Sequence, residues 1–132
     1  MALQVKQEST TALRKFYADD PQILAWMFSE VEVVSALCRL AREGSISRRD
    51  LVEAISRFES FYASLTVVSH FEAVKPRAKR LLRVHPLKAA DALQLGAALA
   101  AVYDDPSGWE MVCLDERLRD AASHEGFLLL PR

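Results

Sequence analysis

Between Lys88 and Asp104 the chain reads Ala89-Ala-Asp-Ala-Leu-Gln-Leu-Gly-Ala-Ala-Leu-Ala-Ala-Val-Tyr103, a stretch whose only charge is Asp91. A helix that is apolar nearly all round is stable only when other elements cover it on several sides. The stretch therefore predicts a buried helix from Leu87 to Tyr103, with Pro86 in its first turn, where a missing N–H is not needed. It is too short to span a bilayer. A domain must be built around it.

The rest of the chain supplies one such domain over residues 1–132, because 132 residues leave no room for a second core. Hydrophobic residues make up 51% and charged residues 27%, the ordinary globular range. With only four glycines and five prolines, the fold is expected to be helix-rich rather than a many-turned β-sandwich. The 17 basic and 18 acidic residues nearly cancel, which excludes a uniformly basic nucleic-acid binder but leaves room for a local basic patch. Cys38 and Cys113 have no metal-ligand or redox spacing around them and read as free thiols in a reducing compartment. The opening MALQVKQEST has no signal-peptide pattern, so a soluble cytoplasmic protein is expected, with no membrane association.

Apolar runs alternate with helical periodicity. Thr10 to Tyr17 reads as a short helix stopped at Asp19-Asp20-Pro21, and Ile23 to Phe28 as a buried strand. Ser29 opens a helix to about Arg42, ended by Gly44. Ser47-Arg-Arg-Asp50 has capping-box spacing before Leu51, Ile55, Phe58, Tyr62 and Leu65 at helical intervals. Thr66 to Ser69 is a brief strand, followed by a helix over Phe71 to Val84 that Pro76 interrupts. Past the apolar helix come a strand at Met111 to Leu114, a helix from Glu116 to His124, and a strand at Phe127 to Leu130. Strands alternating with helices predict a parallel sheet flanked by helices, whose ligands gather at the carboxyl ends of the strands.

Three carboxylates stand out against that framework. Asp91 lies within the apolar helix, where an unpaired buried charge is unfavourable by several kcal/mol. The alternative, a favourable helix-dipole contact, fades if Pro86 begins the helix, because Asp91 then lies beyond the first turn. Asp115 ends a buried strand and precedes a helix, so it is either a ligand or an N-cap. Glu32 stands at capping-box spacing from Ser29, and its ordinary role would be to reach back to that backbone N–H. Taken together, carboxylates without histidine or cysteine suit Mg2+ or Mn2+ and the hydrolysis of phosphodiesters. From Ala73 to Ala90 there are six cations and no acid. That is either a phosphate-binding face, with Arg83 and Lys88 nearest Asp91, or a solvated helix face. His85 reads as a cap or loop residue rather than a general base.

The chain resembles the PIN-domain family, and especially the VapC-type ribonucleases of bacterial toxin–antitoxin pairs. The resemblance is carried by Glu32-Val-Val-Ser-Ala-Leu-Cys-Arg-Leu-Ala-Arg-Glu-Gly44, Arg80-Leu-Leu-Arg-Val-His-Pro-Leu-Lys-Ala-Ala-Asp91-Ala-Leu-Gln-Leu and Val112-Cys-Leu-Asp115-Glu-Arg-Leu118, in family order and spacing. It implies an α/β fold with a parallel sheet, an acidic pocket binding Mg2+ or Mn2+, cleavage of RNA, a homodimer, and inhibition by a small antitoxin protein. It maps Glu32, Asp91 and Asp115 onto the family's acidic, metal-binding positions. One departure accompanies it. Members begin with a strand ending in a metal-binding Asp, whereas Ala2-Leu-Gln-Val5 matches the segment just after that motif. The first strand is thus expected to be missing or replaced, and a non-catalytic PIN-like module that binds RNA or a partner protein is the alternative to a nuclease.

Overall fold

The computed structural model describes residues 24–132. The expected helix at Thr10 to Tyr17, and the question of what stands in for the opening strand, lie outside the described residues. The chain divides into two compact units whose boundary falls between Val67 and Val68.

The first unit holds β1 (Leu24–Trp26), α1 (Ser29–Arg42), α2 (Arg48–Ala63) and most of β2 (Thr66–Val68), with β1 and β2 hydrogen-bonded as neighbours. Val33 and Leu37, one helical turn apart, bury the inner stripe of α1, which packs on α2. Trp26 and Tyr62 complete this core, and the Tyr62 hydroxyl donates to the Trp26 carbonyl oxygen at 3.0 Å. The expected capping box opens α2: Ser47 Oγ accepts from Asp50 N at 3.0 Å, and Asp50 accepts from Ser47 N at 3.4 Å. The capping role expected for Ser29 is corrected. The N-cap of α1 is Phe28, whose carbonyl already accepts from Glu32 N at 3.0 Å, so helical hydrogen bonding begins one residue earlier than the serine suggests.

The second unit holds α3 (Phe71–Val84), α4 (Ala89–Ala101), β3 (Glu110–Val112), α5 (Glu116–Glu125) and β4 (Leu128–Leu130). Strands β3 and β4 are parallel, with Met111 opposite Leu129. The helix-rich α/β architecture is therefore as expected, although among the described residues the strands form two two-stranded sheets rather than one continuous sheet. As its composition required, α4 is covered on several sides: Ala92, Leu95, Leu99 and Val102 share one core with Leu81, Cys113, Leu118 and Phe127. Burial pushes the Cys113 thiol above its ordinary pKa, which marks it as a packing residue rather than a reactive one.

The structure differs from expectation at β3, which ends at Val112 rather than Leu114, and at two prolines. Pro76 does not interrupt α3, because Val74, Ala78 and Leu81 are buried against the rest of the unit and hold the helix continuous through the missing N–H. Nor does Pro86 begin α4. A residue before proline is pushed toward extended backbone, and His85 accordingly adopts φ -126°, ψ 149° as the C-cap of α3. The chain stays non-helical through the N-cap Lys88, so α4 starts at Ala89.

Candidate functional site

Asp115 has the capping role expected of it. It lies three residues past Val112, the last residue of β3, and caps α5, where its Oδ1 accepts from Leu118 N at 3.0 Å. That bond leaves Oδ2 outside the cap. Partly buried Arg119, one helical turn on, braces the same corner: its Nη1 donates to the Cys113 carbonyl at 2.6 Å and to the Leu130 carbonyl at 3.2 Å. A single guanidinium thus ties the carboxyl ends of both parallel strands together where Asp115 emerges.

The late start of α4 changes the reading of Asp91. The residue sits in the first turn, three positions past the N-cap, and is half-buried rather than enclosed. The helix dipole therefore favours its charge by roughly 0.3–1 kcal/mol, an ordinary structural reason for an acid there. Asp91 and Asp115 belong to the same unit, each at the amino end of a helix, and α4 and α5 contact one another. Glu32 lies in the other unit, half-buried in the first turn of α1. All three candidates thus share one kind of position, the start of a helix, where a negative charge is stabilised whatever else it does.

The donor chemistry suits a hard cation, since every candidate offers carboxylate oxygen. Mg2+ usually keeps several waters and is held by one or two carboxylates together with substrate phosphates, so Asp91 and the uncapped oxygen of Asp115 fit such an ion in kind. Among the described residues no group of three or more His, Cys, Asp or Glu side chains is arranged to hold a metal.

Arg83 and Lys88 are both exposed, Arg83 in the last turn of α3 and Lys88 at the N-cap of α4. The dipole stabilises Arg83 there, whereas a cation at the N-cap is disfavoured, so Lys88 has no such structural reason for its place.

Sequence reasoning missed three residues. Glu125, at the end of α5, accepts from Arg80 Nη2 at 2.5 Å and from His85 Nε2 at 2.7 Å, and these contacts hold its carboxyl below the usual carboxylate range. Arg119 was the second. Gln94 was the third: it is buried one turn beyond Asp91, and its Oε1 has no hydrogen-bond partner among the described residues. Only Gln94 carried a local signal, being the other polar side chain of an otherwise apolar helix.

Two curated proteins are similar to this chain: Ribonuclease VapC45 of Mycobacterium tuberculosis strain CDC 1551 / Oshkosh and Ribonuclease VapC49 of strain ATCC 25618 / H37Rv. Each is 34% identical over 100 residues, which cover 76% of this chain and 67% of the relative. No protein-family model matches the chain, and no solved structure does.

Proposed function

The chain belongs to the VapC family of PIN-domain proteins, and from that membership we propose that it is an endoribonuclease of toxin–antitoxin type, hydrolysing RNA phosphodiester bonds at a carboxylate site for Mg2+ or Mn2+. The observation that carries this reading is the likeness to two proteins named as ribonucleases, over a span that includes most of the chain. Asp115, in the connection that leaves the carboxyl end of parallel strand β3, supports it, because α/β proteins gather their ligands at that end of the strands.

The proposed ligands are Glu32, Asp91 and Asp115. A bound divalent cation would stabilise the charge that develops on the phosphoryl group and activate water. Within the chain, the N-cap bond and the Arg119 brace hold Asp115 in one orientation, so little ordering is needed when substrate arrives. Arg83 and Lys88 would neutralise neighbouring phosphates. The same membership extends the proposal to a small antitoxin that covers the pocket, to a homodimer and to a cytoplasmic location. No helix among the described residues is long and apolar enough to cross a membrane.

The second reading is a non-catalytic module that binds RNA or a partner protein, and it is favoured by the lack of a three-acid cluster among the described residues. Incubation of the chain with labelled RNA in Mg2+, Mn2+ or EDTA separates the two. Cleavage that needs the divalent ion supports the nuclease, while RNA binding without cleavage in any of the three supports the module.

A further inference from the structure

Six cations fall between Lys75 and Lys88, and the fold sorts them by what they already hold. Arg77 is committed: Nε and Nη2 each donate to one oxygen of Asp104 at 2.7 Å, and Nη1 donates to the Ala73 carbonyl. Arg80 is committed to Glu125. Lys75 is loosely engaged, 3.4 Å from exposed Glu72 and half-exposed itself. Lys79 and Arg83 are exposed and, among the described residues, make no ion pair or hydrogen bond through their side chains.

Lys75, Lys79 and Arg83 are each four residues apart, so they form one row along α3, with roughly 6 Å of helix rise between neighbours. The row lies outside the buried stripe, because Val74, Ala78 and Leu81 turn inward while Lys75, Lys79 and Arg83 are exposed. The helix dipole accounts for a cation in the last turn, where Arg83 sits, but not for Lys79 in the middle of the helix. Among the described residues no acid from another element pairs with Lys79 or Arg83, in contrast to Arg77 and Arg80.

We propose that this row is the track on which a single-stranded RNA backbone lies, with Lys79 and Arg83 neutralising successive phosphates and Lys75 at the far end. The proposal rests on the ribonuclease reading above and adds Lys79 to the contacts while excluding Arg77 and Arg80, whose charge is used internally. Regularly spaced point charges along one line suit a polyanion read by charge rather than by base identity.

The test is the salt dependence of binding to a short oligouridylate, followed by fluorescence anisotropy in EDTA so that no cleavage intervenes. For a single strand, each phosphate that a cation neutralises contributes about 0.7 to the steepness of log affinity against log salt. Lys79→Gln and Arg83→Gln should each reduce that slope by about 0.7, and the double variant by about 1.4. Arg57→Gln, which removes an exposed cation paired with Glu53 on α2, should leave it unchanged. Because Lys79 is exposed in the middle of the helix, the melting curve of its variant should overlay the wild type, and Arg83→Gln should lose only the small stabilisation that a cation gains in the last helical turn. A wild-type slope in both single variants overturns the track while leaving the ribonuclease reading intact. The track is equally overturned if the variants weaken binding to polyglutamate but not to RNA, which would assign the row to an acidic protein segment. Failure of the unaltered chain to bind RNA overturns both readings together.

Discussion

The Nε2–H of His85 donates to Oε2 of Glu125 at 2.7 Å, across 40 residues of sequence. Arg80 reaches the other oxygen of the same carboxylate, so one acid in the last turn of α5 fastens the end of α3 and the connection that leads into α4. Both the His85 and Glu125 side chains are nearly enclosed, at 10% and 13% exposure, whereas Arg80 is half in solvent.

Glu125→Gln should therefore destabilise the fold by about 1–2 kcal/mol in urea unfolding at neutral pH, the effect of removing a hydrogen-bonded charge, discounted for the solvent around Arg80. Arg80, followed by His85, holds the Glu125 carboxyl below its ordinary range against the opposing effect of burial. A depressed carboxylate stabilises the fold fully above its unfolded-state pKa of about 4.3, and that contribution is lost as pH falls through the lower folded value. The wild type and variant should thus converge in stability in acid. A gap that stays constant down to the lowest pH would show that the charge of Glu125 is not its source.

At Asp115 the capping and chemical roles can be separated by two substitutions. Asparagine is as good an N-cap as aspartate, so Asp115→Asn should keep the melting temperature while removing the ionic ligand and with it metal-dependent RNA cleavage. Asp115→Ala should lose cleavage and about 1 kcal/mol of stability as well. Full activity in the asparagine variant would reduce Asp115 to a cap.

Asp91→Asn should abolish Mg2+- or Mn2+-dependent cleavage and lower stability by roughly 0.3–1 kcal/mol through the lost first-turn charge on the helix dipole. Side-by-side cleavage assays and thermal melts check both halves. Retained cleavage would remove Asp91 from the site.

Gly96→Ala should destabilise, although alanine is the better helix former by about 0.8–1.0 kcal/mol. The added Cβ would lie 3.1 Å from the Ala78 nitrogen and 3.2 Å from the Val74 carbonyl, both backbone atoms of α3 that cannot rotate aside. A net loss of up to about 2 kcal/mol is expected from overpacking less the propensity gain. A higher melting temperature would mean that α3 and α4 can move apart freely.

How much of the site was legible follows from how local each signal is. Asp115 was readable as a cap because an aspartate between an apolar run and a helical pattern involves only its neighbours in sequence. Asp91 was noticed for the right reason, a lone charge in an apolar stretch, but its setting depended on where α4 begins. That was decided by the extended backbone Pro86 imposes on His85, and it returned Asp91 to the first turn. The capping box at Ser47 was legible, while the similar spacing at Ser29 was not realised because Phe28 already accepts the first helical bond.

By itself the sequence determined the order of strands and helices, the burial of α4 and the candidate acids, since these follow from periodicity, capping chemistry and the exclusion of charge over short spans. Tertiary structure alone decided which cations are committed. Arg77 and Arg80 look no different from Lys79 and Arg83 in a run of basic residues, yet their partners Asp104 and Glu125 stand 27 and 45 residues away. Such pairs form only when packing of α3 against its neighbours brings remote carboxylates within reach of Arg77 and Arg80, leaving Lys79 and Arg83 to solvent.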